Sequence, residues 1–301
     1  MDYFYLKIGT GNELAHDWLA GRNLLHRPAV VIYFDNFNLA QYRAGKGGKE
    51  PRRFWKCGEP EFHDRTLMVV IHEGEVWILK PSGPVRFLHS GPNAEGKPHT
   101  PKAMPVRIIK KIMAKDVPMV LASITANQFF TRGTFRQIND WGNFKAIDRV
   151  VRRGLDEEHW KPENQGPAQL LECLSSVELE TLVAKLFEAH HCFVPAYRGG
   201  LMKDIDLFAY NNTSQPICIE KLIVPPKKHV SLQIKRWSND MTKPRSVDYL
   251  MGLDAKGHDA FDAKWLLQRV LECESVVVWL RRSLDWLPDG YLNEVVERLI
   301  K

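Results

Sequence analysis

Four residues in the second half of the chain could together do one kind of chemistry. Asp206 lies early in the apolar run Ile205–Tyr210 (IDLFAY), whose aromatic and branched residues predict a β-strand. Gln233 and Lys235 follow on the next predicted strand, around Val230–Ile234 (VSLQI). They stand two residues apart, so both side chains project to the same face. Glu180 belongs to a predicted helix, Ser176–His190 (SVELETLVAKLFEAH). Its apolar residues Val177, Leu179, Leu182, Val183, Leu186 and Phe187 recur at helical spacing, with Ser175 or Ser176 as N-cap. Hydrolysis of a phosphodiester needs a divalent cation on the scissile phosphate, carboxylates on rigid elements to hold it, and a positive group near the attacking water. A strand acid, a Gln-x-Lys pair and a helical acid meet that requirement.

The stretch LETLVAKLFEAHHCFVPAYRGG, followed by DIDLFAY, SLQIKRW and SVDYLMGL, resembles the Mrr-type branch of the PD-(D/E)xK nuclease superfamily. The resemblance covers residues 174–255 and extends loosely to the run near Val278. It implies a restriction-endonuclease-like central mixed sheet flanked by helices. It also implies an endonuclease that depends on Mg²⁺, with Mn²⁺ able to substitute, and cuts DNA rather than RNA, of the restriction or phage-defence type. Within that pattern Asp206 matches the central metal-binding aspartate, and Gln233 matches a position often held by Glu or Asp. Lys235 matches the catalytic lysine, Glu180 the helical acid that contacts the metal, and the Ile234 backbone carbonyl a further ligand. Double-strand cutting would imply a homodimer. Two departures stand out. Asp204 replaces the usual glycine before the apolar-Asp pair. The gap from Asp206 to Gln233 is long and carries Pro216, Pro225 and Pro226, enough for an extra hairpin. An amide at Gln233 removes one negative charge, which favours one-metal chemistry. Two alternatives stay open: a nuclease fold that binds or senses nucleic acid without cutting, and a nuclease gated through residues 1–155.

The elements that must position these groups divide the 301 residues into a strand-rich, α+β domain over 1–155, a linker over 156–169 and an α/β domain over 170–301. In the first, Tyr3–Ile8, Ala29–Phe34, Leu67–Ile71 and Glu75–Leu79 predict strands, while Pro105–Ala114 and Phe135–Val151 predict helices. The linker is polar and punctuated by Pro162, Gly166 and Pro167. In the second, the Ser176–His190 helix precedes strands at Cys192–Tyr197, Ile205–Tyr210 and Val230–Ile234. Helices at Val247–Leu253 and Ala260–Cys273, a buried strand at Glu274–Leu280 and a closing helix at Tyr291–Ile300 complete it.

Charge is divided unevenly. The net +6 resolves into +8 over residues 1–150 and −2 over the rest, so the first half is the candidate polyanion grip. The Gly-rich loop expected at 41–56 carries Arg43, Lys46, Arg52 and Arg53 and ends in Phe54-Trp55, a composition suited to phosphate contact and base stacking. Around the site, Arg198, Lys203, Arg236, Trp237, Lys243 and Arg245 are the expected nucleic-acid contacts. Five widely spaced cysteines without a CxxC pair argue against disulfides and zinc ribbons and for a reduced, cytoplasmic setting. Mean hydropathy is −0.31, and the longest apolar run, residues 276–280, is too short to span a membrane. His190-His191-Cys192 matches a metal cluster only in residue type. His72-Glu73 lacks the second histidine of HExxH. Gly9-Thr10-Gly11 lacks the third glycine of a dinucleotide fingerprint, and the sequon Asn211-Asn212-Thr213 has no use in the cytoplasm.

Overall fold

A computed structural model describes residues 1–9, 12–33, 38–88, 101–126, 133–151, 166–195, 204–236, 243–288 and 290–300, the side chains of 298–300 excepted. The chain forms two compact units, Met1–Arg153 and Gly154–Lys301.

The first unit runs β1 (Asp2–Leu6), α1 (Ala15–Leu19), β2 (Ala29–Ile32), α2 (Leu39–Arg43), α3 (Lys49–Cys57), α4 (Pro60–His63), β3 (Thr66–His72), β4 (Glu75–Pro81), β5 (Arg86–Phe87), β6 (Lys102–Met113), α5 (Met119–Ala122), β7 (Phe135–Gln137) and α6 (Trp141–Val151). The strands form one mixed sheet in the order β2-β6-β4-β3-β1-β7, with β5 beside β6. β1 and β3 pair in parallel and the remaining pairs are antiparallel. Residues Thr66–Ile71 are all buried, as are Val76–Leu79. Strands that read as continuous apolar runs need both sheet faces covered. On one face Met68, Val70, Trp77 and Leu79 pack with Ala15 and Leu19 of α1 and Phe54 of α3. On the other, Tyr3 stacks on Phe144 of α6 at 4.8 Å and its hydroxyl donates to Asp148 at 2.8 Å.

Two expectations fail in this unit and a third fails in part: Phe135–Gln137, the start of the expected Phe135–Val151 helix, is strand β7. The expected helix Pro105–Ala114 is instead strand β6 as far as Met113. Its register against β4 pairs Ile108 with Leu79 and Lys110 with Ile78, so Ile109 is an extra residue at a bulge. One inserted residue converts a period of two into local spacings of three and four, which mimics a helix. Residues 41–56 are not a loop but mostly the helices α2 and α3. Asn38 caps α2, its Oδ1 accepting from the Gln41 amide at 3.0 Å while Gln41 Oε1 accepts from the Asn38 amide at 2.9 Å. Phe54 and Trp55 are buried, so they serve the core and Trp55 stacks on Tyr42 instead of on bases.

The second unit runs α7 (Pro167–Glu172), α8 (Ser176–Ala189), β8 (Leu207–Tyr210), β9 (Ile217–Ile219), β10 (Leu222–Val224), β11 (His229–Lys235), β12 (Tyr249–Gly252), β13 (Ala260–Phe261), α9 (Ala263–Leu271), α10 (Glu274–Ser283) and α11 (Tyr291–Ile300). Its sheet order is β13-β12-β11-β8; β8 is antiparallel to β11, whereas β11, β12 and β13 are mutually parallel. α8 buries Leu179, Leu182, Val183, Leu186 and Phe187 and packs on β8, β11 and α10. β9 and β10 make the extra hairpin in the long insertion. The Tyr249 hydroxyl holds it, accepting from the Ile223 amide and donating to the Ile223 carbonyl. Asn211 is buried there as well, its Nδ2 donating to the Val224 and Gln215 carbonyls, so the sequon asparagine is a structural clasp.

Five more expectations need correction. Ala260–Phe261, the start of the expected helix Ala260–Cys273, is strand β13, and of the expected strand Cys192–Tyr197 the described residues 192–195 make a single bridge, Phe193 with Tyr210. Glu274–Leu280 forms helix α10, not a strand: only Val276 and Leu280, one turn apart, are buried, while Val278 is 46% exposed. A run of branched residues supplied the strand signal, but the burial has helical period. Val247–Leu253 contains strand β12, not a helix. Leu250 and Met251 are adjacent and both buried because β12 lies inside the sheet, and four residues are too few for periodicity to decide. Residues 166–169 of the expected linker open helix α7.

The capping box that starts α8 supplies a test. Ser175 Oγ accepts from the Glu178 amide at 3.2 Å, and Glu178 Oε2 accepts from the Ser175 amide at 2.8 Å. Ser175→Ala should therefore lower stability by about 1 kcal/mol in urea titrations. Val177→Ala, at a position 60% exposed, should change it by less than about 0.5 kcal/mol. Equal losses in the two variants would show that the box is not what starts the helix.

Candidate functional site

The site lies where β8 leaves β11. Their ladder ends at the pair Leu207–Leu232. Just beyond it, the Asp206 amide still donates to the Leu232 carbonyl at 2.9 Å. The Asp206 side chain then replaces the missing strand: Oδ2 accepts from the Ile234 amide at 2.7 Å. A residue's N–H and C=O point to the same edge of a strand, so the Ile234 carbonyl shares the edge that the Asp206 carboxylate occupies. Lys235 Nζ lies 3.9 Å from the same Oδ2, with the aspartate side chain 15% exposed and the lysine 36%. Asp204, two residues earlier, has φ +65°. This is the left-handed region that glycine enters freely and that Asp tolerates better than most residues. The departure from glycine at this position thus keeps a glycine-like backbone.

Glu180 enters from α8, half-buried and next to the stripe of Leu179, Val183 and Phe187 that packs down. Burial is the main cause that pushes its carboxyl up to about 7. The Asp206 carboxylate raises it further, and the Lys235 ammonium acts in the opposite sense. Two acids with one ammonium leave a surplus negative charge in a partly desolvated place. Gln233 is 3% exposed, and its Oε1 is buried without a hydrogen-bond partner among the described residues. An orphaned amide oxygen of this kind carries a desolvation cost of about 1–3 kcal/mol unless something accepts its lone pairs. Asp206, Glu180, Gln233 and the Ile234 carbonyl are all oxygen donors, the set that suits a hard divalent cation. The described residues therefore fit Mg²⁺ in chemistry.

The expected nucleic-acid contacts divide into several groups. Arg198, Lys203 and Trp237 lie outside the described residues. Arg236 does not face an open rim: it is 7% exposed and its Nη2 donates to the Glu172 carbonyl at the end of α7. There it caps orphan carbonyls and complements the negative helix terminus. Lys243 is committed to the protein, donating to the Asp248 carbonyl at 2.9 Å and to Asp259 Oδ2 at 3.3 Å. Arg245 is exposed, as are Arg43, Lys46 and Arg52 in the first unit, with Arg53 half-buried.

The thiols have no part in the site. Burial pushes Cys57 up to about 12 and Cys192 to about 11, which keeps both protonated and unreactive. His190 makes its sulfur contact with Cys273, at 3.7 Å, rather than with its neighbour Cys192.

The unpartnered Gln233 oxygen and the Ile234–Asp206 bond were not individually predictable. The Gln-x-Lys spacing marks the strand but not which backbone amide the aspartate will take. Comparison with protein-family models, with curated proteins and with solved structures yields no match to this chain, so the resemblance rests on the residues themselves.

Proposed function

We propose that the second unit is a metal-dependent nuclease centre on a restriction-endonuclease-like sheet, hydrolysing phosphodiester bonds of DNA. The observation that carries this reading is the Asp206–Lys235 pair at the point where β8 leaves β11, with Glu180 near enough for its carboxyl to feel both charges. Asp206 has a backbone amide to satisfy, but that bond calls for neither the half-buried Glu180 carboxyl nor a lysine beside it. When bound, Mg²⁺ would polarise the scissile phosphate and acidify a water. Asp206, Glu180 and the Ile234 carbonyl would hold the ion, with the Gln233 amide oxygen as a further donor. The Ile234 amide fixes Asp206 through Oδ2, so the carboxylate meets its ligand already oriented. Lys235 keeps its ammonium beside that carboxylate, where it can orient the attacking water and offset charge that builds on the phosphate. The first unit, with the +8 balance of residues 1–150 and exposed Arg43, Lys46 and Arg52, would read or hold the polyanion.

Plasmid DNA supplies the direct test. With Mg²⁺ or Mn²⁺ the full chain should nick or linearise it. Asp206→Ala and Lys235→Ala should each slow cutting by about 10² or more. Variants that cut at the wild-type rate would remove the assigned site. DNA binding that falls with salt and survives Asp206→Ala, with no cutting by any form, would instead identify the inactive alternative.

The electrostatics can be checked without activity. The Glu180 carboxyl has a folded-state value of about 7, above its ordinary 4.5, so the fold binds that proton more tightly than the unfolded chain does. Its contribution to stability is full at low pH and is lost as pH rises between those two values. In chelator-treated protein, wild type should therefore lose stability relative to Glu180→Gln between pH 4.5 and pH 8, read from urea midpoints. Parallel profiles for the two proteins would show that the Glu180 carboxyl is not held above its ordinary value.

A further inference from the structure

A second group of metal-ligating side chains lies in the first unit, well apart in sequence from the acids and lysine discussed above. His16 projects from α1, His72 ends β3, and Glu73 occupies the turn that follows. One ligand atom from each lies within 4.8 Å of the others. His16 Nε2 is 3.1 Å from Glu73 Oε2, and His72 Nε2 is 3.6 Å from Glu73 Oε1. We propose that these three residues form a binding site for a zinc-class divalent cation, with solvent completing the shell.

The distances fit the ion. Zinc bonds nitrogen and oxygen at about 2.0–2.2 Å in tetrahedral geometry, which puts neighbouring ligand atoms about 3.3–3.5 Å apart. The two separations above lie on either side of that span but reach different oxygens of Glu73, so its carboxylate must turn to present one oxygen to the ion. Two imidazoles and one carboxylate are also a borderline-soft donor set that selects zinc, cobalt or nickel over magnesium. Three protein ligands leave a fourth position open. The His16 and Glu73 side chains are 41% and 66% exposed and His72 is 17% exposed, so water can reach it.

The backbone brings the three together by specific means. Glu73 and Gly74 have φ of +49° and +76°, the double left-handed turn that closes a two-residue hairpin between β3 and β4. Asn or Asp usually fills the first of these positions, and a glutamate there is held against its preference at a cost of about 1 kcal/mol. Asn12 docks α1 over the end of β3. It is buried, its Oδ1 accepts from the Ile8 amide at 2.6 Å, and its Nδ2 donates to the Ile71 carbonyl at 2.9 Å. That clasp sets His16 over His72, with ring centroids 5.6 Å apart. Glu75 pairs directly with His72 across the hairpin. Its Oε1 takes the Lys111 ammonium at 2.8 Å, while Oε2 is buried without a hydrogen-bond partner among the described residues.

The test is a metal titration of the full chain carrying Asp206→Ala, in millimolar Mg²⁺, so that oxygen sites are silent. Zinc affinity is measured by competition with a chromophoric chelator, and Co²⁺ is followed by visible absorption. One equivalent should bind, and bound Co²⁺ should absorb more strongly than the aqueous ion. His16→Ala and Glu73→Gln should each weaken zinc binding about tenfold or more. Both positions are exposed enough that circular dichroism should show an unchanged fold. Failure to bind one equivalent, or an affinity unchanged in both variants, would overturn the site and leave only a surface ion pair between His16 and Glu73. Neither result bears on plasmid cutting, because the Asp206→Ala background removes it.

Discussion

The second unit turns on a single substitution of side chain for backbone. Strand β11 needs a partner for the Ile234 amide on the edge where β8 has already ended, and Asp206 supplies it with a carboxylate oxygen. An edge amide left without a partner would cost free energy comparable to a lost hydrogen bond. A charged acceptor makes the replacement stronger than the ladder bond it stands in for. The same bond fixes where the carboxylate points. It also dictates that Lys235, next along the chain, can approach Oδ2 from the sheet face while the Ile234 carbonyl keeps the edge. Folding of the sheet and assembly of the site are thus one event.

The opposing term is electrostatic. Bringing Glu180 down from α8 toward Asp206 sets two carboxylates in a place too dry to screen them, and the rise of the Glu180 carboxyl to about 7 is the record of that conflict. Lys235 offsets part of it, but one ammonium does not balance two acids. Asp206 has its backbone amide to serve, but at Glu180 a purely structural role would have been met more cheaply by an apolar side chain, since a buried charged group is seldom better than a well-packed hydrophobe. The unsatisfied Gln233 oxygen points the same way. An arrangement that tolerates surplus negative charge and an orphan acceptor together is one that a cation would relieve.

How far this was legible in the chain differs by element. Helix α8 was readable because its apolar positions repeat over four turns and Ser175 marks its start. β8 and β11 were readable because alternation and turn residues bound them. The site residues followed from those three elements, since Asp206, Gln233 and Lys235 fall at fixed places on strands. The failures share a cause: the local pattern was set by something distant. Ile109 is extra in β6 only because of the register with β4. Val276–Leu280 reads as a strand until α8 decides which of its residues are buried. Arg236 reads as an exposed base-proximal charge until the end of α7 claims its guanidinium. His16 and His72 are separated by an entire strand and three helices, so no spacing rule could join them.

Burial also explains why the net charges of the halves mislead if taken as surface properties. Over residues 151–301 the count of −2 includes Asp206, whose side chain is 15% exposed, and the half-buried Glu180, so neither is a full surface charge. Several basic residues of that half are likewise spoken for, Arg236 by a helix end and Lys243 by Asp259. In the first unit Lys80 and Lys111 are matched by Asp64 and Glu75, whereas Arg43 at the end of α2, Arg52 in α3 and Lys46 in the turn between them stay exposed. Those two short helices stand where a basic loop was expected, and they give Arg43 and Arg52 a rigid footing. Fixed cations meet a phosphate backbone without first losing the freedom of a loop, so the correction from loop to helix strengthens the case for that surface as the grip.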